Sequence, residues 1–220
     1  MIEFRRLLPK EHHILHVTQR FIYFAFLRWV RYLFSVKIIR HEYHNGKLDK
    51  PLVIVSNHIS NWDPFLILSS LGERLYFNNI LWRFPAYHGH FKIIHKKIFY
   101  KIVGAFPIKR EESLEKSMET SIEMIKKGNS MLFFPEGKRV IMHEKAKIGR
   151  GIEYLLKQTS FYILPVNVSY LNRGKRGLGA RLGKAEIVFG KVIESDYFIK
   201  NFSDDSRHIA VMDHIRNLVK

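Results

Sequence analysis

Cysteine is absent from the 220 residues, which excludes a disulfide framework and any thiolate metal site and makes a reducing compartment the natural expectation. Acid is scarce beside base: 20 Asp+Glu stand against 37 Lys+Arg, a formal charge of +17. A surface that basic attracts a polyanion, either nucleic acid or an anionic membrane. Polar and charged residues precede the first apolar run and no small-residue cleavage site follows it, so no secretory leader is expected. Internal repeats, long linkers and low-complexity tracts are also missing. One domain with a sizeable core, carrying an appended element, suits this length.

Several catalytic patterns are missing too. Without a Gly-x-Ser-x-Gly elbow, a serine hydrolase has no nucleophile. Gly177 to Lys184 looks phosphate-binding, but a Walker pattern needs Gly where Leu178 stands and Ser or Thr where Ala185 stands. A dinucleotide fingerprint needs Gly where Leu182 stands, so the segment reads as a solvated basic loop. His88-x-His90 lies in a glycine-containing loop without a matching carboxylate, which favours a surface role over a metal site.

What is present points to an interface. Aromatic residues reach 14% and gather with Lys and Arg near the N-terminus and over residues 80–102. A solvated basic surface has no need of so much Phe and Tyr, which favours a membrane over nucleic acid. Residues 12–36 read as one helix, with Arg20, Arg28 and Arg31 within ~80° of each other and the remaining circumference largely apolar. From Phe21 to Val36 it would measure ~24 Å, short of the ~30 Å hydrocarbon core, and arginines interrupt it. An interfacial helix fits better than a spanning one; a core helix of the domain is the alternative. Residues 80–102 either pack on the core with their charges reaching out or form a second membrane-facing surface.

The rest alternates strand and helix. Strands are expected at 51–56, 103–108, 130–134, 162–168 and 185–190, and helices at 64–71, 112–127, 147–158 and 205–219. That order predicts an α/β fold with a mostly parallel central sheet flanked by helices, behind an N-terminal membrane-associated helix. The division is residues 1–45 for the interfacial helix and lead-in, and 46–220 for the catalytic domain.

Three strand ends carry polar chemistry. The run Leu52 to Ser56 delivers Asn57-His58, with Asp63-Pro64 five residues later as an expected N-cap and N1 pair. A neutral imidazole oriented by a carboxylate can take a proton from an alcohol. His-x4-Asp also occurs as His44/Asp49 and His208/Asp213. The first borders a polar turn, and the second spans ~140° of one helix, so only His58 has the strand-to-helix context. Taken alone, the pair also fits a structural histidine beside a helix cap. A second strand ends in Lys109-Arg110, where Arg110 can bind phosphate with help from a helix starting near Glu111. A third ends in Pro135-Glu136-Gly137-Lys138-Arg139: Glu136 can accept from substrate hydroxyls, Gly137 permits a tight turn, and Arg139 can face an anion. Strand C-termini line the crevice of an open α/β sheet, so His58, Arg110 and Glu136 are expected to converge.

These blocks resemble the glycerolipid (lysophospholipid) acyltransferase family. Asn57-His58 through Asp63 is similar to its Asn-His-x4-Asp block, Gly104 through Arg110 to its second block, and Phe134-Pro135-Glu136-Gly137-Lys138-Arg139 to its third. Ile163-Leu164-Pro165-Val166 resembles the fourth, and Lys147-x-Gly149 falls where the family often has Lys-x-Gly. The resemblance implies acyl transfer from a thioester, carried by coenzyme A or acyl carrier protein, to a lysophospholipid hydroxyl, with 1-acylglycerol-3-phosphate giving phosphatidate. It implies His58 as general base with Asp63 assisting, and Asn57, Arg110, Glu136, Gly137, Arg139 and Lys147 as substrate-binding residues. It implies no cofactor and no metal, with membrane lipids at the cytoplasmic face of a bacterial inner membrane as partner and no nucleic acid. Lys138 and Lys109 depart from the family pattern by adding positive charge, which keeps open a different lysolipid, amino-acid-linked or remodelled. A non-catalytic basic binder of membranes or nucleic acid would explain the charge but not the ordered blocks.

Overall fold

The structure, a computed structural model, describes residues 10–27, 29–30, 34–41, 48–78, 81–140, 147–171 and 184–219. Arg28, Arg31, His44 and most of the Gly177–Lys184 segment lie outside the described residues. The helices are α1 (Lys10–Ile22), α2 (Asp63–Ser70), α3 (Glu73–Asn78), α4 (Ile94–Ile102), α5 (Leu114–Lys126), α6 (Gly151–Gln158), α7 (Ser195–Asn201) and α8 (Arg207–Asn217). The strands are β1 (Lys37–Arg40), β2 (Leu52–Ser56), β3 (Trp82–Tyr87), β4 (Ala105–Ile108), β5 (Ser130–Phe133), β6 (Tyr162–Leu171), β7 (Lys184–Phe189) and β8 (Ile193–Glu194).

They form one α/β sheet in the order β1-β7-β6-β2-β5-β3-β4, with β8 paired to β6. The run from β6 to β4 is parallel throughout, and among the described residues only β6 with β7 and β6 with β8 pair antiparallel. Strands β2 and β5 are buried along their whole length and apolar but for one serine each, because both faces are covered. Leu52, Ile54 and Leu132 belong to one core cluster, and Val53, Val55, Met131 and Phe133 to the other.

The five strands expected from the sequence are all present, at Leu52–Ser56, Ala105–Ile108, Ser130–Phe133, Tyr162–Leu171 and Lys184–Phe189. Strand β3 was not legible because Arg83 and Pro85 interrupt its apolar run. Proline is tolerated because the β5 ladder ends at Arg83, and beyond it β3 pairs only with edge strand β4. Short β1, a Lys-Ile-Ile-Arg edge strand, carries too little pattern to read.

The segment expected as a single helix over 12–36 differs. It starts at Lys10, becomes π-helical over Tyr23–Leu27, and turns at Phe34–Ser35 toward β1. Gln19, Tyr23, Leu27, Val30 and Phe34 are buried at roughly helical spacing and face the sheet. Gln19 is fixed by Trp82: its Nε2 donates to Trp82 O at 2.7 Å, and its Oε1 accepts from Trp82 N at 3.1 Å. Its other face, with Phe21, Phe24 and Trp29, is exposed. Residues 80–102 divide likewise, since Trp82 and Phe84 of β3 are core whereas no side chain of α4 is buried. No helix among the described residues is long and apolar enough to cross a membrane.

Candidate active site

Five parallel strands, β6-β2-β5-β3-β4, end side by side, and the chemistry follows them. The chain leaves β2 at Ser56 and turns through Asn57-His58-Ile59-Ser60 into α2. His58 Nδ1 lies 3.0 Å from Asp63 Oδ2. Asp63 is 0% exposed and His58 18%. The same Oδ2 accepts from Ile59 N at 2.6 Å and Ser60 N at 2.7 Å, while Oδ1 accepts from the Tyr170 hydroxyl at 2.6 Å. Asp63 was expected as the N-cap, but Trp62 holds that position and Asp63 is the first helical residue, with Pro64 next. The carboxylate therefore reaches back to close the preceding turn instead of capping the helix. Since a buried carboxylate accepts from Nδ1, the ring proton sits there and Nε2 keeps its lone pair. Nε2 makes no hydrogen bond among the described residues.

The chain after β5 cradles this histidine. Glu136 Oε2 accepts from His58 N at 2.8 Å, Val140 N donates to His58 O at 2.8 Å, and the Phe134 ring stacks on the imidazole at 4.1 Å. Gly137 takes φ +64°, and its N–H donates to Phe134 O at 3.0 Å, the tight turn its glycine permits. Burial raises the Glu136 carboxyl above its ordinary value, against the lowering effect of the His58 N–H. Gly149 N donates to Pro135 O at 2.8 Å, which ties the segment carrying exposed Lys147 to the same turn. Asn57, a candidate substrate contact, exchanges two 2.8 Å hydrogen bonds with the Val168 backbone and so ties the β2 end to β6.

Cations rim the other side. The expected helix start near Glu111 is displaced to Leu114, with Ser113 as cap, so no helix terminus supports Arg110. Instead its guanidinium lies over the Tyr87 ring at 5.4 Å. Lys109 is paired with Glu112 at 2.8 Å, which raises the lysine and lowers the glutamate. His90 stacks on Tyr100 at 5.1 Å and meets Tyr87 edge-on at 6.0 Å. Burial first, and then the charges of Lys96, Arg110 and Arg139, hold His90 below its ordinary value. Arg110 and Arg139, from separate sequence blocks, thus act on one imidazole.

The decoy histidine among the described residues goes elsewhere. His208 Nδ1 faces Glu153 at 3.2 Å, and Asp213 faces Arg216 at 3.5 Å. Asp49 accepts from the Tyr162 hydroxyl at 2.8 Å. No reading of the sequence assigned Tyr170 or the Phe134 ring a place at the site, and His90, expected in a surface role, is indeed exposed. An aromatic continuing β6 was the only signal for Tyr170, and it did not name a partner.

Comparisons with known proteins bear on the family and the fold. The chain is 30% identical over 122 residues to the chloroplastic 1-acyl-sn-glycerol-3-phosphate acyltransferase of Brassica napus, covering 54% of this chain and 33% of that protein. It is likewise 30% identical over 122 residues to a chloroplastic enzyme of the same name from Arabidopsis thaliana, covering 54% and 32%. The chain therefore spans about a third of the length of these curated relatives. Its fold is similar to the crystal structure of the 1-acyl-sn-glycerophosphate (LPA) acyltransferase PlsC from Thermotoga maritima, with TM-score 0.66, 19% identity, and coverage of 98% of this chain and 84% of that one. The family model described as Acyltransferase matches residues 37–169, well over half of the 220, and the chain belongs to that family.

Proposed function

We propose that this protein moves a fatty acyl chain from a thioester, on coenzyme A or acyl carrier protein, to the hydroxyl of a lysophospholipid, with 1-acylglycerol-3-phosphate as acceptor and phosphatidate as product. The observation that carries the reading is the 3.0 Å contact between His58 Nδ1 and the fully buried Asp63, which leaves Nε2 as proton acceptor. Nε2 takes the acceptor's hydroxyl proton as its oxygen attacks the thioester carbonyl. The C–S bond then breaks, and the thiolate takes the proton back from His58. Asp63 holds the ring and stabilises the imidazolium between these steps. Arg110 and Arg139 suit the acceptor phosphate, with Lys147 at the same rim. The step draws on side chains and substrates alone, without a cofactor.

The partner surface in this reading is an anionic bilayer, at the cytoplasmic face of a bacterial inner membrane. Exposed Ile94, Ile98 and Phe99 on α4 support it, as does exposed Trp62 beside Asp63. Phe65 joins them, 6.2 Å from the Phe99 ring and 6.0 Å from that of Trp62. An acyl chain lying in lipid would enter beside the catalytic turn.

Release of thiol from acyl-coenzyme A on adding lysophosphatidate, present in wild type and lost in His58→Ala, tests the reaction. Turnover by wild type with glycerol 3-phosphate but not lysophosphatidate would reassign the acceptor. Ile98→Ser with Phe99→Ser should weaken binding to anionic vesicles, read by flotation, by about a hundredfold or more, given ~1.5–3 kcal/mol for each large apolar side chain fully buried. Undiminished flotation would remove α4 from the membrane contact.

A further inference from the structure

Asp63 is fully buried and takes four hydrogen-bond donors, two of them backbone N–H groups that its own turn supplies. The other two are side chains: His58 on Oδ2 and Tyr170 on Oδ1. Tyr170 comes from β6, which pairs with β2 from Leu52 to Ser56. Two residues earlier on the same strand, the Val168 backbone holds the Asn57 amide by two 2.8 Å bonds. Strand β6 therefore grips the catalytic turn twice, once just before His58 and once at its carboxylate. A site held by a strand of the central sheet is positioned more narrowly than one held by loops.

We propose that Tyr170 is a positioning residue for the acyl transfer, its hydroxyl fixing Asp63 Oδ1 so that Oδ2 stays on His58 and the basicity of the pair is set by the Tyr170–Asp63–His58 chain. This rests on the reading of His58 as general base. The 2.6 Å bond to a buried carboxylate is of the short, charge-assisted kind. It draws negative charge from Asp63, which limits how strongly the carboxylate stabilises the imidazolium. Without it Oδ1 is left buried and short of a donor, Asp63 is more basic, and His58 holds its proton to higher pH. Tyr170 does not touch the reacting atoms in this account.

The remaining charged groups around the pair are unaltered by changing Tyr170. Glu136 faces His58 from the turn after β5, and Arg216 of α8 acts electrostatically on Glu136. A shift in the pH profile therefore reports on the Tyr170 bond. Two variants of the full chain move that bond in opposite directions. Tyr170→Phe removes the donor, and site-specific Tyr170→3-fluorotyrosine makes the phenol a stronger one.

Acyl transfer from acyl-coenzyme A to lysophosphatidate is followed against pH. For Tyr170→Phe the acid limb of kcat/KM is expected to rise by ~0.5–1 pH unit and the plateau kcat to fall about three- to tenfold, with both KM values within about twofold. For 3-fluorotyrosine the acid limb should move down. Acid limbs that coincide with wild type in both variants overturn the inference. So does a loss in Tyr170→Phe that appears only as raised KM or a lowered melting temperature with the limb unmoved. If Tyr170→Phe does not fold, the fluorinated variant decides alone. Full turnover by folded His58→Ala would instead sink the underlying mechanism, so the two failures are distinguishable.

Discussion

The His58–Asp63 turn and the cation rim stand on the same edge of the sheet yet are built by opposite means. Around His58 and Asp63 the bonding is specific: the ring Nδ1, the backbone N–H and the carbonyl of His58 all have partners, and Asp63 is sealed from solvent. At the rim, Arg110, Lys138, Arg139 and Lys147 are exposed, and Arg110 is steadied by the face of Tyr87. Proton transfer needs geometry fixed to a fraction of an ångström, whereas holding a diffuse phosphate charge needs only several cations in reach. Substitutions in the turn should therefore act on kcat and substitutions at the rim on acceptor KM.

The largest expected effect lies in the turn. His58→Ala should lower turnover by about 10²–10⁴-fold, and Asp63→Asn should be severely impaired as well, both with folded protein by circular dichroism. His208→Ala, whose ring faces Glu153 and not Asp63, serves as the control that retains activity. Equal losses in both histidine variants would erase the distinction between the two regions.

Glu136 belongs to the turn by its hydrogen bond and to the rim by its sequence block, and its variants sharpen the boundary. Glu136→Ala leaves His58 N without its acceptor, costing roughly 1–3 kcal/mol and about tenfold in kcat. Glu136→Gln keeps a carbonyl oxygen there. Burial raises this carboxyl in the folded state, so its contribution to stability is full at low pH and is lost as pH rises through the folded value. Glu136→Gln should therefore melt no lower than wild type at neutral pH, with any gain vanishing on acidification. Thermal melts across pH check the sign, and a wild-type advantage growing above pH 7 would contradict it.

At the rim, Arg110→Ala and Arg139→Ala should each raise acceptor KM by about tenfold, for ~1.5–3 kcal/mol, with donor KM and kcat nearly unchanged. The wild-type acceptor KM should also rise with salt. Initial rates with each substrate varied in turn separate the cases. A change confined to the donor would reverse the assignment of the pocket.

Much of the fold was legible because each buried strand is a short apolar run closed by turn residues, as in Leu52–Ser56 and Ser130–Phe133. The polar ends of those runs marked His58, Glu136 and Arg110 for the same reason. Strand β3 hid behind Arg83 and Pro85, and α4 behind a basic, aromatic stretch whose apolar side faces outward. The N-terminal helix was legible as amphipathic, but not as the carrier of Gln19, whose partner Trp82 lies 63 residues on.

What the sequence determined by itself was local: which residues alternate into a sheet, where glycine permits φ +64° at Gly137, and that a histidine and an aspartate share one strand-to-helix turn. These follow from steric limits and spacing within a few residues. Only the tertiary structure decided that Asp63 is fully buried, that Tyr170 binds its far oxygen across 107 positions, and that Glu136 holds the His58 backbone across 78. Such partners are chosen by strand order and register, set by the burial of both sheet faces at once, and leave no mark on the residues next to them in the chain.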